Sequence, residues 1–135
     1  MTELQLTTFR GKLFDGRWIV GNYYFTRLLD AHMILATDGV KIYPREVHAD
    51  TVGIRVEGIL DKNGKDIFVG DVVEVDFGED YGGKMLAQVI YNRKYASFNL
   101  KYTDGGVNMF PGEETPIKVI GNVYDNPKLL EVRHG

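Results

Sequence analysis

Four short segments of this chain carry side chains of the types that hold metals, cradle phosphates or stack on bases. The first, Asp61-Lys62-Asn63-Gly64-Lys65-Asp66, opens as a calcium loop does. An EF-hand loop needs an oxygen ligand at its fifth position, glycine at its sixth and a bidentate glutamate at its twelfth. Those positions are Lys65, Asp66 and Val72 here, so the calcium reading fails. The second, His48-Ala49-Asp50, puts an imidazole and a carboxylate two residues apart. His32 and His134 lie far away in sequence and no His-x-x-x-His pair exists, so a solvated connector is the better reading. No metal site and no cofactor is expected.

The third segment, Gly78-Glu79-Asp80-Tyr81-Gly82-Gly83-Lys84, has the spacing of a phosphate loop. Met85 replaces the hydroxyl that would hold magnesium, and Glu79 and Asp80 would repel phosphate. The residues after Lys84 read as a strand, where a phosphate loop requires a helix N-terminus. Nucleophilic catalysis has little material, since Ser97 is the only serine and cysteine is absent. The carboxylate pairs Glu79-Asp80 and Glu113-Glu114 fall in predicted loops, where adjacency does not set the separation that acid and base roles need. The expectation is a protein without catalytic residues.

The fourth segment gathers Tyr91, Arg93, Lys94, Tyr95, Phe98, Lys101 and Tyr102 on one predicted hairpin. Cations interleaved with aromatic rings are how small β-barrels bind single-stranded nucleic acid. The competing reading is that the rings are core and the cations the wet face, which any small sheet would show. A protein interface is the other candidate. Trp18, Tyr23, Tyr24 and Phe25 exceed what one thin sheet face must bury, which points to self-association or to another protein partner.

These residues have to be positioned by short strands. The 16 glycines are spread along the chain, mostly beside Asp or Asn, as turn punctuation. Leu4 to Phe14 reads as a strand, Asp15-Gly16 as a tight turn and Arg17 to Phe25 as the return strand. His32 to Ala36 and Val40 to Tyr43 flank Thr37-Asp38-Gly39 as a second hairpin, which Pro44 is expected to end. A connector to Thr51 holds one helical turn. Gly53 to Gly58 alternates as a half-buried strand, and Ile67 to Phe77 contains a Gly70-Asp71 turn that leads into Val73, Val75 and Phe77. Met85 to Tyr91, Ala96 to Tyr102 and Ile117 to Val123 complete the strands. Asn126-Pro127 then starts a short helical turn containing Leu129 and Leu130.

At 135 residues the expectation is one domain, 1–135, with possible lobes at 1–52 (N-terminal hairpins) and 53–135 (barrel). The hydrophobic share of 44% and charged share of 26% are ordinary for a globular chain. No apolar run approaches the roughly 20 residues of a spanning helix, and Met1 to Arg10 lacks a secretory pattern. With no cysteine, a reducing compartment fits, so the cytoplasm is the expected location and no membrane partner is expected. A net charge of −3 supplies no global field toward nucleic acid.

The run from Gly58 to Val73, Gly-Ile-Leu-Asp-Lys-Asn-Gly-Lys-Asp-Ile-Phe-Val-Gly-Asp-Val-Val, resembles the central signature of YopX-like proteins of phages and prophages. Phe9-Arg10-Gly11-Lys12, Trp18, Gly21-Asn22, Pro44, Thr51-Val52-Gly53 and Ile120-Gly121-Asn122-Val123-Tyr124-Asp125-Asn126-Pro127 fall where that family places them. Glu57-Gly58-Ile59 departs from the usual entry to the signature, and the loop from Gly78 to Gly83 follows no pattern of the family. The resemblance implies a phage or prophage accessory protein with a mostly β fold, and implies no reaction. Asp61, Asn63, Gly64, Gly70, Asp71, Gly121, Asn122, Asn126 and Pro127 read as architectural turn residues. The fold expected is mainly β: a small SH3-like barrel or roll preceded by N-terminal hairpins and closed by a short C-terminal helical turn.

Overall fold

A computed structural model describes residues 8–37 and 40–131. The start of the first predicted strand at 4–7, the Asp38-Gly39 turn and His134 lie outside the described residues. The strands are β1 (Phe9–Lys12), β2 (Trp18–Thr26), β3 (Ala31–Thr37), β4 (Ile42–Glu46), β5 (Gly53–Leu60), β6 (Asp66–Phe68), β7 (Asp71–Asp76), β8 (Lys84–Asn92), β9 (Ser97–Tyr102), β10 (Val107–Met109) and β11 (Ile117–Asn122). Three single 3-10 turns, Ala49–Thr51, Glu79–Tyr81 and Pro127–Leu130, are interspersed, and no α-helix occurs among the described residues. The expectation of a mainly β chain with a short C-terminal helical turn is met.

The strands form two antiparallel sheets in the orders β4-β3-β2-β1-β5-β6 and β10-β9-β8-β7-β11. The expected SH3-like barrel is therefore corrected to open sheets. The second sheet ends in two edge strands, β10 and β11, and no pairing closes it among the described residues. The chain divides between Glu57 and Gly58 into two compact units.

In the first unit, the β1–β2 turn is set by Gly16 at φ 92 and by Asp15 Oδ1, which accepts the Arg17 amide at 3.0 Å. Register then decides which side chains share a face. Gly11 pairs with Ile19, Phe9 with Gly21, and Tyr23 with Ile34. That face packs Ile34 against Leu13 and Val47, with Phe9, Ile19 and Val52 around them. Val47 sits directly over Gly11, where an added Cβ would lie 2.9 Å from it. Gly11 is required there because any side chain would displace this small core.

Pro44 does not end the second hairpin, as its missing donor suggested, but lies inside β4 opposite Leu35. The reason is position. β4 is an edge strand, and an outward-facing amide on an edge has no ladder partner to lose.

The second unit has β7 at its centre, between β8 and β11. Val73, Val75, Ala87, Val89, Leu100, Tyr102 and Ile117 are buried, and their pairings place them on one face. Val72, on the opposite face of β7, is also fully buried. A run of adjacent buried valines is what a central strand covered on both sides requires.

Candidate binding surfaces

The signature turns are built as clamps. Asp61 is 5% exposed, and its Oδ1 accepts the amides of Asn63 at 2.8 Å and Lys65 at 2.9 Å, while Oδ2 accepts the amide of Val119 in β11 at 3.0 Å. Burial alone would raise this carboxyl's pKa. The three amide donors and the Lys65 charge outweigh burial and hold it below its ordinary value. Gly64 closes the turn at φ 78. Asp71 is buried and its Oδ2 accepts the Phe68 amide at 2.8 Å. Gly70 stands at φ 100 with the Tyr124 ring 3.0 Å from where a Cβ would be.

The C-terminal motif is a second clamp. Asn122 Oδ1 accepts the amides of Tyr124 and Asp125 at 3.0 and 2.8 Å, and Asn126 Oδ1 accepts the Asn122 amide at 3.2 Å. Asn126 thus bonds backward to β11; its side chain makes no capping bond to the turn begun by Pro127. A Cβ at Gly121 would lie 2.5 Å from Asn126 Oδ1 and 2.8 Å from Leu129 Cδ1.

Trp18, Tyr23, Tyr24 and Phe25, close in sequence, do not form one patch. In a strand successive side chains point to opposite faces, so Trp18 and Tyr24 take one face and Tyr23 and Phe25 the other. Tyr23 and Phe25 flank His32, with the Tyr23 hydroxyl 2.6 Å from His32 Nδ1 and ring centroids 5.9 and 5.0 Å away. Trp18 lies under the Arg10 guanidinium, 4.7 Å from its ring centroid.

The Trp18 face carries a strip that residue types alone did not reveal. Strand alternation puts Val20 and Tyr24 of β2, Leu35 of β3 and Ile42 and Pro44 of β4 on this one face, with Leu35 paired to Asn22 and Pro44, Tyr24 to Met33 and Ile42 to Thr37. Val20, Tyr24, Leu35 and Ile42 are all exposed, Ile42 at 70%. The signal was present in the sequence as apolar residues on both phases of the strand alternation, which marks a second apolar face once strand pairing is known.

On the β8–β9 hairpin the structure brings together part of the predicted set. Tyr91 and Phe98 are cross-strand partners in edge contact, ring centroids 5.5 Å apart. Arg93, Lys94 and Tyr95 occupy the exposed turn beyond them, with Lys94 Nζ 5.4 Å from the Tyr95 ring centroid. Lys101 and Tyr102 do not join this group. Lys101 pairs with Gln88 on the opposite face, and Tyr102 is buried beside Phe77 at 6.1 Å. Burial, with a smaller contribution from the Asp104 charge, raises the Tyr102 phenol above its ordinary pKa.

A groove of about 970 Å³ runs between the start of β8 and the Pro127–Leu130 turn, with Leu86 and Leu129 in its walls and Asp104, Lys128 and Glu131 among its charges. Among the described residues, no group of three or more His, Asp or Glu is close enough to hold a metal ion. No helix there is long and apolar enough to cross a membrane.

A family model described as YopX protein matches residues 16–131. No curated protein and no solved structure matches the chain.

Proposed function

The chain belongs to the YopX family, and on that premise we propose that it is a non-catalytic binding module that pairs with a second copy of itself through the exposed apolar strip of its first sheet. The reading keeps the phage or prophage accessory role that the resemblance implies and the cytoplasmic location expected from the absence of cysteine. A phage or host protein is the other occupant that such a face takes.

One observation carries the proposal: Val20, Tyr24, Leu35 and Ile42 are exposed together on one sheet face. Scattered apolar residues need no partner, whereas a strip with an aromatic member marks an interaction surface. Face-to-face pairing is favoured over edge addition, because Pro44 removes a donor from β4 where an added strand would need one. A two-fold pair presents the same strip from both copies and closes without leaving a further sticky surface.

A dilution series followed by light scattering tests this. The proposal expects the mass to fall from dimer toward monomer on dilution. A constant monomer mass up to the highest soluble concentration overturns self-pairing.

A further inference from the structure

From the tip of the β8–β9 hairpin we infer a single-strand nucleic-acid site, in which Tyr91, Tyr95 and Phe98 present rings to bases while Arg93 and Lys94 meet phosphates. Three observations meet there, on a unit separate from the strip proposed for self-pairing. The first is charge placement. The chain carries 19 acidic residues, yet none falls between Asp80 and Asp104, the stretch that forms both strands of this hairpin. A net-acidic protein has here a segment with only positive charges, so a polyanion can approach the tip without meeting a carboxylate on the same hairpin.

The second is exposure. Tyr95 is 69% exposed and Tyr91 46% exposed, and neither is needed to fill the core, which Val89, Leu100 and Tyr102 complete farther down the same face. Tyr91 and Phe98 stand edge to face, leaving ring surface on the outside of the pair. The third is positioning. Asn92 Oδ1 accepts the Lys94 amide at 3.1 Å, and Ala96 is held at φ 48, so the four-residue turn is a fixed shape. A fixed turn lowers the ordering cost that a flexible loop would pay on binding. Stacking on rings tolerates any base, so the site takes single strands without sequence preference.

The test uses the full chain and a fluorescein-labelled 20-nucleotide oligo-dT at about 20 mM salt, read by anisotropy. Binding is expected, with log affinity falling against log salt at a slope of about −1.4 for two phosphate contacts on a single strand. Tyr95→Ala should weaken it by roughly fivefold to 150-fold, the contribution of one stacked base. R93E/K94E should abolish it, with the thermal midpoint of each variant confirming that the exposed substitutions leave the fold intact. No binding at low salt, binding unchanged in R93E/K94E, or preference for the matching duplex would each overturn the inference. Dextran sulfate competing as well as oligo-dT per charge would do so too, because it offers phosphate-like charge without bases. Retention of oligo-dT binding by a chain that is monomeric would leave this site standing while removing the self-pairing proposed above.

Discussion

The Asp61 carboxylate accepts the Val119 amide at 3.0 Å across 58 residues of sequence. The same carboxylate closes its own turn through Asn63 and Lys65. One side chain therefore joins the turn after β5 to the last strand of the second sheet. Asp61→Ala leaves three amides without their acceptor, and hydrogen bonds to a charged group contribute about 1.5–3 kcal/mol each. With part of that recovered by water, the expected loss is about 3 kcal/mol, measured as the change in urea midpoint. Asp61→Asn, which keeps one acceptor oxygen, should lose less.

The same bonds predict an acid dependence. A carboxyl whose folded pKa is lowered stabilises the fold above its unfolded value, and that contribution disappears as pH falls through the folded pKa. For Asp61 the ordinary value is 3.8 and the folded value lies below it. Urea midpoints in the wild type should therefore fall as the pH drops below the ordinary value of 3.8 and through the lower folded pKa. The Asp61→Asn variant should show a shallower fall over the same range.

Gly121 has no room for a side chain, with Asn126 Oδ1 and Leu129 Cδ1 occupying the space a Cβ would take. Gly121→Ala should destabilise by about 1–3 kcal/mol, as overpacking does, and should free the Pro127–Leu130 turn. Faster amide exchange at Leu129, whose N–H bonds to the Asn126 carbonyl at 3.1 Å, is the local readout.

Ala96 carries a left-handed backbone at φ 48 in the β8–β9 turn. Glycine adopts that conformation without the cost of about 1–2 kcal/mol that a Cβ incurs, though it loses some of this through a freer unfolded chain. Ala96→Gly should therefore raise stability by about 0.5 kcal/mol, seen as a small rise in thermal midpoint.

Much of the fold was legible because strands announce themselves locally. Val73, Val75 and Phe77 alternate, and the predicted strand 85–91 differs from β8 (Lys84–Asn92) by one residue at each end. β10 was not legible. Val107–Met109 is three exposed residues between glycines and a proline, with no buried phase to read. Pro44 misled because a missing donor stops a strand only where a neighbour would have used it, and edge position is a property of the assembled sheet. The Asp61 turn was legible in its own four residues, but its bond to Val119 depends on a pairing that no local pattern contains.

The candidate surfaces were legible as residue types and not as patches. Trp18 to Phe25 reads as one aromatic cluster, and strand alternation divides it between two faces. Lys101 and Tyr102 sit in the same hairpin as Tyr95, yet one points to the opposite face and the other into the core. The strip of Val20, Tyr24, Leu35 and Ile42 comes from three strands, so only their register assembles it.

Sedimentation velocity on the wild type and on V20E/I42E decides whether the apolar strip holds two copies together. Both positions are exposed, so the variant should keep its fold, checked by an unchanged far-ultraviolet spectrum and thermal midpoint. Self-pairing through the strip predicts a concentration-dependent dimer for the wild type and a monomer for the variant at the same concentration. A wild type that stays monomeric, or a dimer that survives both charges, would contradict it.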